Sequence, residues 1–420
     1  MRVLGLNYHE DRSSAVSVHN QRVVGGLLTS NTEFPQQLIT ELSDPHQSFD
    51  YVVTTSNRSL SEFKLLTKPY TKAEPVVVDY KEALAMSSIA MRDWNSCAVM
   101  IVDSYYCALG YYADRQFHWI REFSYPNSVS LFYSAATRLL GFDPLTEEYK
   151  TAEASEQGSP VYADLIEQRF VRVEDGDYTL LHNLEHGVGT GPLNLDIASS
   201  VQTVFDKIIL SLAGWLSRYV SDKKLAYAGR ASANYLTNTR LANSGYFNEL
   251  SIQPLTSAAG AAIGSAALLS RPIWDRIDLG AETIMDVTPE QLASQLLKGD
   301  IIAYSNNRAE FTDRSTLNRN WLAIPFKPII TKYRQQAGLI HSWQQPYNVC
   351  QKKDYNLYYF NANFNSMYGQ FASRSLTETI NSSKVVTTNL NRNPFINRVL
   401  ELTRAEGYPI LISSPIESVQ

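Results

Sequence analysis

Apolar and polar positions alternate in short blocks along the first hundred residues. The opening VLGLNYHEDRSSAVSVHNQRVVGGLL reads as strand, polar turn, strand, tight turn, strand, with HEDRSS and HNQR as the two turns. Two more β-rich segments, YVVTTS and PVVVDY, lead into a helix-compatible stretch from Lys81 to Trp94. CAVMIVDSYYCALGYY then repeats strand, turn, strand from Cys97. Farther on, Ile197, Val201, Val204, Phe205, Ile208, Ile209, Leu212 and Leu216 recur at three-and-four spacing, which predicts a long amphipathic helix. Strand KLAYAG, a turn, helix NYLTNTRLANSG with a stop at Gly245, strand LSIQP and a small-residue helix follow.

The pattern changes near residue 290. TPEQLASQLLKGD predicts a capped helix with Pro in its first turn, followed by strand IIAYSN. From Asn318 onward Asn, Tyr and Gln dominate, with short aromatic strands such as DYNLYYFNANF, a helix in NPFINRVLELTRAEG and a last strand PILISS. No short-period repeat or low-complexity linker interrupts this order.

Length and composition narrow the class. A chain of 420 residues exceeds one ordinary core and should hold two or three units. With 44% hydrophobic residues, 25 Tyr and 16 Phe it is too apolar for disorder. The net charge is −5 and Lys and Arg are scattered, which argues against direct nucleic-acid binding. The longest small-apolar run, Ala258 to Leu269, is about half a bilayer span, and the N-terminus lacks a basic-then-apolar leader pattern. A soluble cytoplasmic protein with no membrane contact is expected. Cys97, Cys107 and Cys350 have no CxxC spacing, so neither disulfides nor structural zinc are indicated.

Five segments carry a resemblance that spans the chain: VLGLNYHEDRSSAVSV, CAVMIVDSYY, SLFYSAATRLLGFDPLTEEYK, LAYAGRASANYLTNTRLANSGYFNELSIQPLTSAAGAAIGSA and AEFTDRSTLNRNWLAIPF. In order and spacing they resemble the nodulation- and cephamycin-type O-carbamoyltransferases. The resemblance implies an α/β chain with a duplicated actin-like ATPase-type fold over 1–290, in two lobes of roughly 1–95 and 96–290. A YrdC-like α+β domain, shortened, would occupy 291–420. Members of that family make carbamoyl adenylate from ATP and carbamoyl phosphate in the second module and transfer the carbamoyl group to an acceptor hydroxyl in the first.

Carried over position by position, the resemblance gives His9, Asp103 and Lys150 as catalytic candidates. His9 sits in the first polar turn, where an imidazole can act as base or metal ligand, or simply be an exposed turn residue. Asp103 ends an apolar strand, where a carboxylate suits a cation or merely shapes the turn. Gly229, Arg230, Asn234, Gly260, Arg314, Asn318 and Arg319 match positions that would hold nucleotide or carbamoyl phosphate.

The departures are as informative as the matches. The family's His cluster is replaced by DYKEALAMSSIAM, and its Gly-Asp-Ala-Gly by Ser257, Ala258, Ala259 and Gly260, so the iron site is expected to be lost and no metal residue is assigned. Arg230 stands where a second turn Gly would admit phosphate; it either binds an anion through its guanidinium or blocks the pocket. TAEASEQG replaces the motif after Lys150, and Thr312, Asp313 and Leu317 replace Gly and Pro positions around Arg314, Asn318 and Arg319. His182 and His186 in HNLEH are four apart, but the Gly-rich run behind them argues against a sustained helix and no third ligand is near.

Three functions follow. The first is a pseudoenzyme without cofactor that pairs with itself or with an active paralogue. The second is an active transferase using ATP and carbamoyl phosphate through His9, Asp103, Lys150, Asn234 and the Arg pair. The third is a nucleotide- or small-molecule-binding module.

Overall fold

Three antiparallel strands, β1 (Arg2–His9), β2 (Arg12–His19) and β3 (Arg22–Thr29), open the chain as a meander. Then come α1 (Gln36–Leu42), β4 (Tyr51–Thr54), α2 (Leu60–Thr67), β5 (Val76–Val77) and α3 (Tyr80–Ala90). β4 pairs parallel to β1 and β5 parallel to β4, so the sheet runs β3-β2-β1-β4-β5. PVVVDY thus contributes only two strand residues, because Asp79 accepts from the Lys81 and Glu82 amides and starts α3 early.

The same plan repeats. β6 (Cys97–Val102), β7 (Cys107–Ala113) and β8 (Gln116–Phe123) form a second meander. An insertion follows: α4 (Val129–Leu139), α5 (Glu148–Ser155), α6 (Ala163–Phe170) and the hairpin β9 (Val171–Glu174)–β10 (Asp177–Leu180). The chain then continues through α7 (Leu195–Tyr219), β11 (Lys224–Ala228), α8 (Tyr235–Asn243), β12 (Glu249–Ile252) and α9 (Ala258–Ser270). The second sheet runs β12-β11-β6-β7-β8, the same order and the same pairing senses as the first. Two five-strand sheets of the same topology, each interleaved with helices, have the strand order of the duplicated actin-like ATPase-type fold.

The last helix of each half packs on the sheet of the other. α3 touches β6, β11 and β12 of the second sheet, α9 touches β1, β2 and β4 of the first, and α3 and α9 pack against each other. This crossing explains the small-residue sequence of α9. A Cβ on Gly264 would lie 1.6 Å from the Ala83 carbonyl oxygen in α3, and a Cβ on Gly5 2.2 Å from the Ala262 carbonyl oxygen. Only Gly permits such backbone approaches. Around this wedge Leu84, Ile89, Val99, Ile101, Ala226 and Ala261 are buried in one cluster. Every residue of β6 is buried, as expected for a central strand covered on both faces. The 25-residue α7, capped by Asn194, buries Val201, Val204, Phe205, Ile208, Ile209 and Leu212. Each such side chain contributes about 1.5–3 kcal/mol on leaving water.

These elements belong to the first of two compact units, Met1–Asp275 and Arg276–Gln420. The structure, a computed structural model, describes all residues except 10–11, 30–35, 44–47, 56–59, 93, 185–188, 253–255, 257, 273–277, 312–317, 325–346, 352–360, 364–381, 389–393, 409–410 and 416–420. In the second unit β13 (Asp278–Thr283) is followed by α10 (Pro289–Leu297), β14 (Ile302–Ser305), β15 (Asn307–Glu310) and β16 (Arg319–Ala323). Then come β17 (Tyr347–Gln351), β18 (Asn361–Asn363), β19 (Ser382–Thr388), α11 (Pro394–Ala405) and β20 (Leu411–Pro415). β13 pairs with β15, and the rest form a sheet ordered β14-β16-β20-β17-β19-β18. Thr288 and Gln291 close a capping box at α10, and Leu292, Leu296, Tyr304, Leu322, Ile396 and Leu400 make the core.

Two measurements check this packing. Gly264→Val should cost about 3 kcal/mol or more in urea-unfolding stability because the wedge cannot admit the side chain. Gly245→Ala, where φ is +74° and nothing lies within 4 Å, should cost about 1 kcal/mol. The buried thiols give the second. Burial pushes both Cys97 and Cys107 up to about 12 from 9.0. The thiolate fraction at pH 8 is then roughly 10⁻⁴, so native protein should leave both unlabelled by iodoacetamide, read by peptide mass. The unfolded chain releases these protons near pH 9 while the folded chain keeps them, so stability should fall as pH rises from 9 toward 12.

Candidate functional site

The centre of the site is the turn after β6. Asp103 is fully buried; its Oδ1 accepts the Arg230 backbone N–H at 2.7 Å and its Oδ2 the Tyr80 hydroxyl at 3.3 Å. Its own backbone is tied down as well: its N–H donates to the Tyr106 carbonyl at 2.8 Å, and Ser128 Oγ donates to its carbonyl at 3.2 Å. Tyr80, in the first turn of α3, packs against Tyr106 with the rings tilted by 39° and 5.4 Å between centroids. The carboxylate therefore joins three segments: the β6–β7 turn, the start of α3 and the turn after β11.

That last turn needs glycine once. Gly229 has φ +95°, and a Cβ there would lie 2.5 Å from the Val102 carbonyl oxygen. Arg230 follows and opens a short 3₁₀ turn through Ala233. Its guanidinium donates through Nη1 to the Leu145 carbonyl oxygen. Leu145 is itself unusual, a leucine at φ +71°, which costs about 1–2 kcal/mol relative to right-handed backbone. Its N–H donates to Glu148 Oε1, which also accepts from Ser134 Oγ at 2.6 Å.

Between these groups lies a cavity of about 50 Å³, lined by Ser130, Tyr133, Glu148, Arg230, Asn234 and Tyr235 among others. A water needs about 10–15 Å³ of such space, so this cavity admits only a few waters. Its rear wall is a buried hydrogen-bond network. Tyr133 donates to Gln202 Oε1 at 2.7 Å, Asn234 Nδ2 donates to the same oxygen at 2.9 Å, and Gln202 Nε2 donates to Asp206 Oδ1 at 2.9 Å. Asp206 is also ion-paired with Arg240. Tyr235 donates to Glu156 Oε2 at 2.7 Å. Burial pushes the Tyr133 and Tyr235 hydroxyls well above their ordinary values, with the Glu156 and Glu153 carboxylates adding to the second, so both are neutral donors at any physiological pH. Burial also lowers the Arg240 guanidinium.

α4 is the partition. Ser130, Tyr133, Ser134 and Thr137 face the polar side, while Phe132, Ala135, Ala136 and Leu139 face a second, wholly apolar cavity of about 320 Å³ closed by Leu165, Ile166 and Val201.

The structure sorts the residues singled out in the sequence. Asp103, Gly229, Arg230 and Asn234 come together. Asn234 also caps α8 through the Thr237 N–H at 3.1 Å. Lys150, matched to a catalytic position, is buried but paired with Glu147, with its ammonium 5.8 Å from the Phe142 ring centroid, and it does not line the cavity. The helix register of α5 turns Tyr149 and Ala152 there instead. Gly260 lies buried in the first turn of α9, which faces α3 and the first sheet, and does not line it either. His9 ends β1 and its side chain falls outside the described residues, as do Arg314 and His186. In the second unit Asn318 Nδ2 donates to the Arg308 carbonyl at 2.8 Å and Arg319 Nη2 to Thr283 Oγ1 at 3.2 Å. DYKEALAMSSIAM, in the place of the His cluster, forms the buried α3. Among the described residues no group of three His, Cys, Asp or Glu is placed to hold a metal. Tyr80, Tyr133, Gln202 and Leu145 were not legible as site residues; nothing in their local spacing marks them.

Of the ten buried side-chain polar atoms without a hydrogen-bond partner among the described residues, two sit near the ends of equivalent strands. Asn7 Nδ2, near the end of β1, and Ser104 Oγ, just past the equivalent strand β6, are both at most 1% exposed and have no protein partner. Asn7 Oδ1 is used, accepting from Thr55 Oγ1 at 2.5 Å.

Known proteins resemble parts of this chain. Residues 93–267, which contain the second sheet, the insertion and most of α9, match the family model described as carbamoyltransferase N-terminus. The chain is 26% identical over 259 residues to nodulation protein NolNO of Sinorhizobium fredii, covering 52% of this chain and 38% of that one. It is 24% identical over 377 residues to nodulation protein NolO of Bradyrhizobium diazoefficiens, covering 79% and 64%. Component A of (R)-2-hydroxyglutaryl-CoA dehydratase from Acidaminococcus fermentans overlays on 64% of the chain and 98% of its own at 14% identity, with a TM-score of 0.45. The strand order defines the first unit as a duplicated actin-like fold, and residues 93–267 within it match a carbamoyltransferase N-terminal domain. The chain is similar to the carbamoyltransferase N-terminal domain over residues 93–267 and to the two nodulation proteins over longer stretches. It spans less than two thirds of the length of either nodulation relative.

The Asp103 carboxylate should matter for stability in its own right. Asp103→Ala strands a part-buried Arg230 N–H and the Tyr80 hydroxyl and should lower urea-unfolding stability by about 1–3 kcal/mol. Asp103→Asn, which keeps an acceptor oxygen, should cost less.

Proposed function

We propose that this chain is a carbamoyltransferase-family protein without turnover of its own, acting as a partner or structural subunit, as a homodimer or beside an active paralogue. The observation that carries this reading is the closed turn. Where phosphate would need open backbone amides, Arg230 carries a side chain bound to the Leu145 carbonyl, and the remaining cavity of about 50 Å³ is far too small for a nucleotide. Carbamoyl transfer needs an activated carbonyl, donors for the developing oxyanion and a base on the acceptor hydroxyl. Lys150 is ion-paired with Glu147, and the stretch in the place of the family's His ligands is a core helix. Each missing electrostatic contact typically costs about 100- to 1000-fold in rate. We also infer that the second unit is a YrdC-like domain, on the family resemblance and on its mixed six-stranded sheet.

A second reading has one observation in its favour. Asn7 Nδ2 and Ser104 Oγ are buried donors without protein partners at the ends of equivalent strands, as expected if a ligand completes them. That reading is a nucleotide- or small-molecule-binding module.

The test is to incubate pure protein with ATP, carbamoyl phosphate and a panel of hydroxylated acceptors, following pyrophosphate and carbamoylated product by mass spectrometry, with elemental analysis alongside. No turnover and no stoichiometric iron or zinc are expected. Turnover abolished by His9→Ala or Asp103→Asn would establish the active transferase instead. Saturable ATP binding without turnover would establish the binding module.

A further inference from the structure

The apolar cavity on the far side of α4 is a space the fold holds open. Its floor is α7, through Ile197 and Val201, and its two walls are α4, through Ala135 and Ala136, and α6, through Leu165 and Phe170. Both walls are pinned to the floor by polar bonds. Tyr133 of α4 donates to Gln202 Oε1 at 2.7 Å; at the start of α6 the Tyr162 N–H donates to Ser200 Oγ at 2.9 Å, and farther along Glu167 is ion-paired with Lys207 of α7 at 2.6 Å. With each wall tied to α7 neither closes on the other, and the small side chains of Ala135 and Ala136 leave the space between them unfilled.

We propose that this cavity binds the alkyl tail of a single-chain amphiphile, whose head group stays in water at the mouth. Among the described residues the wall presents no polar atom, so a donor or acceptor carried into it would give up its bonds to water without replacement. That selects hydrocarbon. Leu165, 50% exposed, and Tyr162, 40% exposed, mark the mouth, where a head group remains solvated. The volume sets the size: an apolar void of about 150 Å³ stays dry and takes up benzene, so a cavity of about 320 Å³ holds a chain of about ten to twelve carbons. The same lack of polar atoms excludes a nucleotide or carbamoyl phosphate, and α4 stands between this cavity and the Gln202 network. The site does not depend on the reading above, because an alkyl tail binds here whether or not the chain turns over.

Calorimetric titration of the full chain with straight-chain alkanoates from hexanoate to tetradecanoate, each below its micelle concentration, tests the site. Affinity should rise about fourfold per added methylene and level off at about ten to twelve carbons, where the cavity is full. Ala136→Leu lengthens the side chain on the wall and should bring that break about three carbons earlier. Leu165→Gln, at a half-exposed position that tolerates a polar side chain, should weaken decanoate binding about fivefold, and it carries the test should Ala136→Leu fail to fold. Hydrogen exchange locates the ligand: decanoate should slow the amides of α6, Ala163–Phe170, about threefold or more and leave those of the second unit unchanged. Affinity independent of chain length, a break unmoved in folded Ala136→Leu, unaltered decanoate binding in Leu165→Gln, or protection confined to other segments would overturn the proposal.

Discussion

Everything in the first unit depends on how closely α9 can approach its neighbours. The helix that ends the second half must cross to the first sheet, and the helix that ends the first half must cross to the second, so the two meet in the narrowest part of the structure. Gly264 against Ala83 and Gly5 against Ala262 set the spacing. Once the spacing is fixed, Tyr80 at the start of α3 reaches the Asp103 carboxylate of the other half. The hydrogen-bond geometry of the site is therefore an outcome of backbone packing some distance away.

The Asp103 carboxylate has a correspondingly mixed character. In a ligand-binding reading it is a group waiting for a cation. In this structure its oxygens already accept from a backbone amide and a phenol, which makes it a structural junction between three segments. A carboxylate satisfied in this way is held in place by the fold itself, without any ligand.

Much of the architecture was legible in the sequence because its signals are local. The two meanders announce themselves by strand-length apolar runs and polar turns, and α7 by its three-and-four spacing. α10 is marked by Thr288, Pro289 and Gln291. The insertion from α4 to β10 was not read, since its helices are short and its one hairpin, at Asp175 and Gly176, is brief. In the site, Gly229, Arg230 and Asn234 were legible as a turn motif. Nothing in EEYK reveals that the helix turns the Lys150 ammonium to Glu147, away from the cavity lining. Tyr80, Gln202 and Leu145 come from segments 57 to 122 residues apart and act only through tertiary placement, which no spacing rule reports.

The two-faced α4 has a consequence for how this chain can change. Hydroxyls and a phenol line one side of it and Phe132, Ala135, Ala136 and Leu139 the other, so advancing its register by one residue would turn the helix by about 100° and present apolar groups to the Gln202 network. Substitutions at single positions can alter either compartment separately, but an inserted or deleted residue within α4 exchanges their contents at once. Lineages of this protein should therefore vary α4 in side chain and hold its length constant, with length variation confined to the loops at its ends.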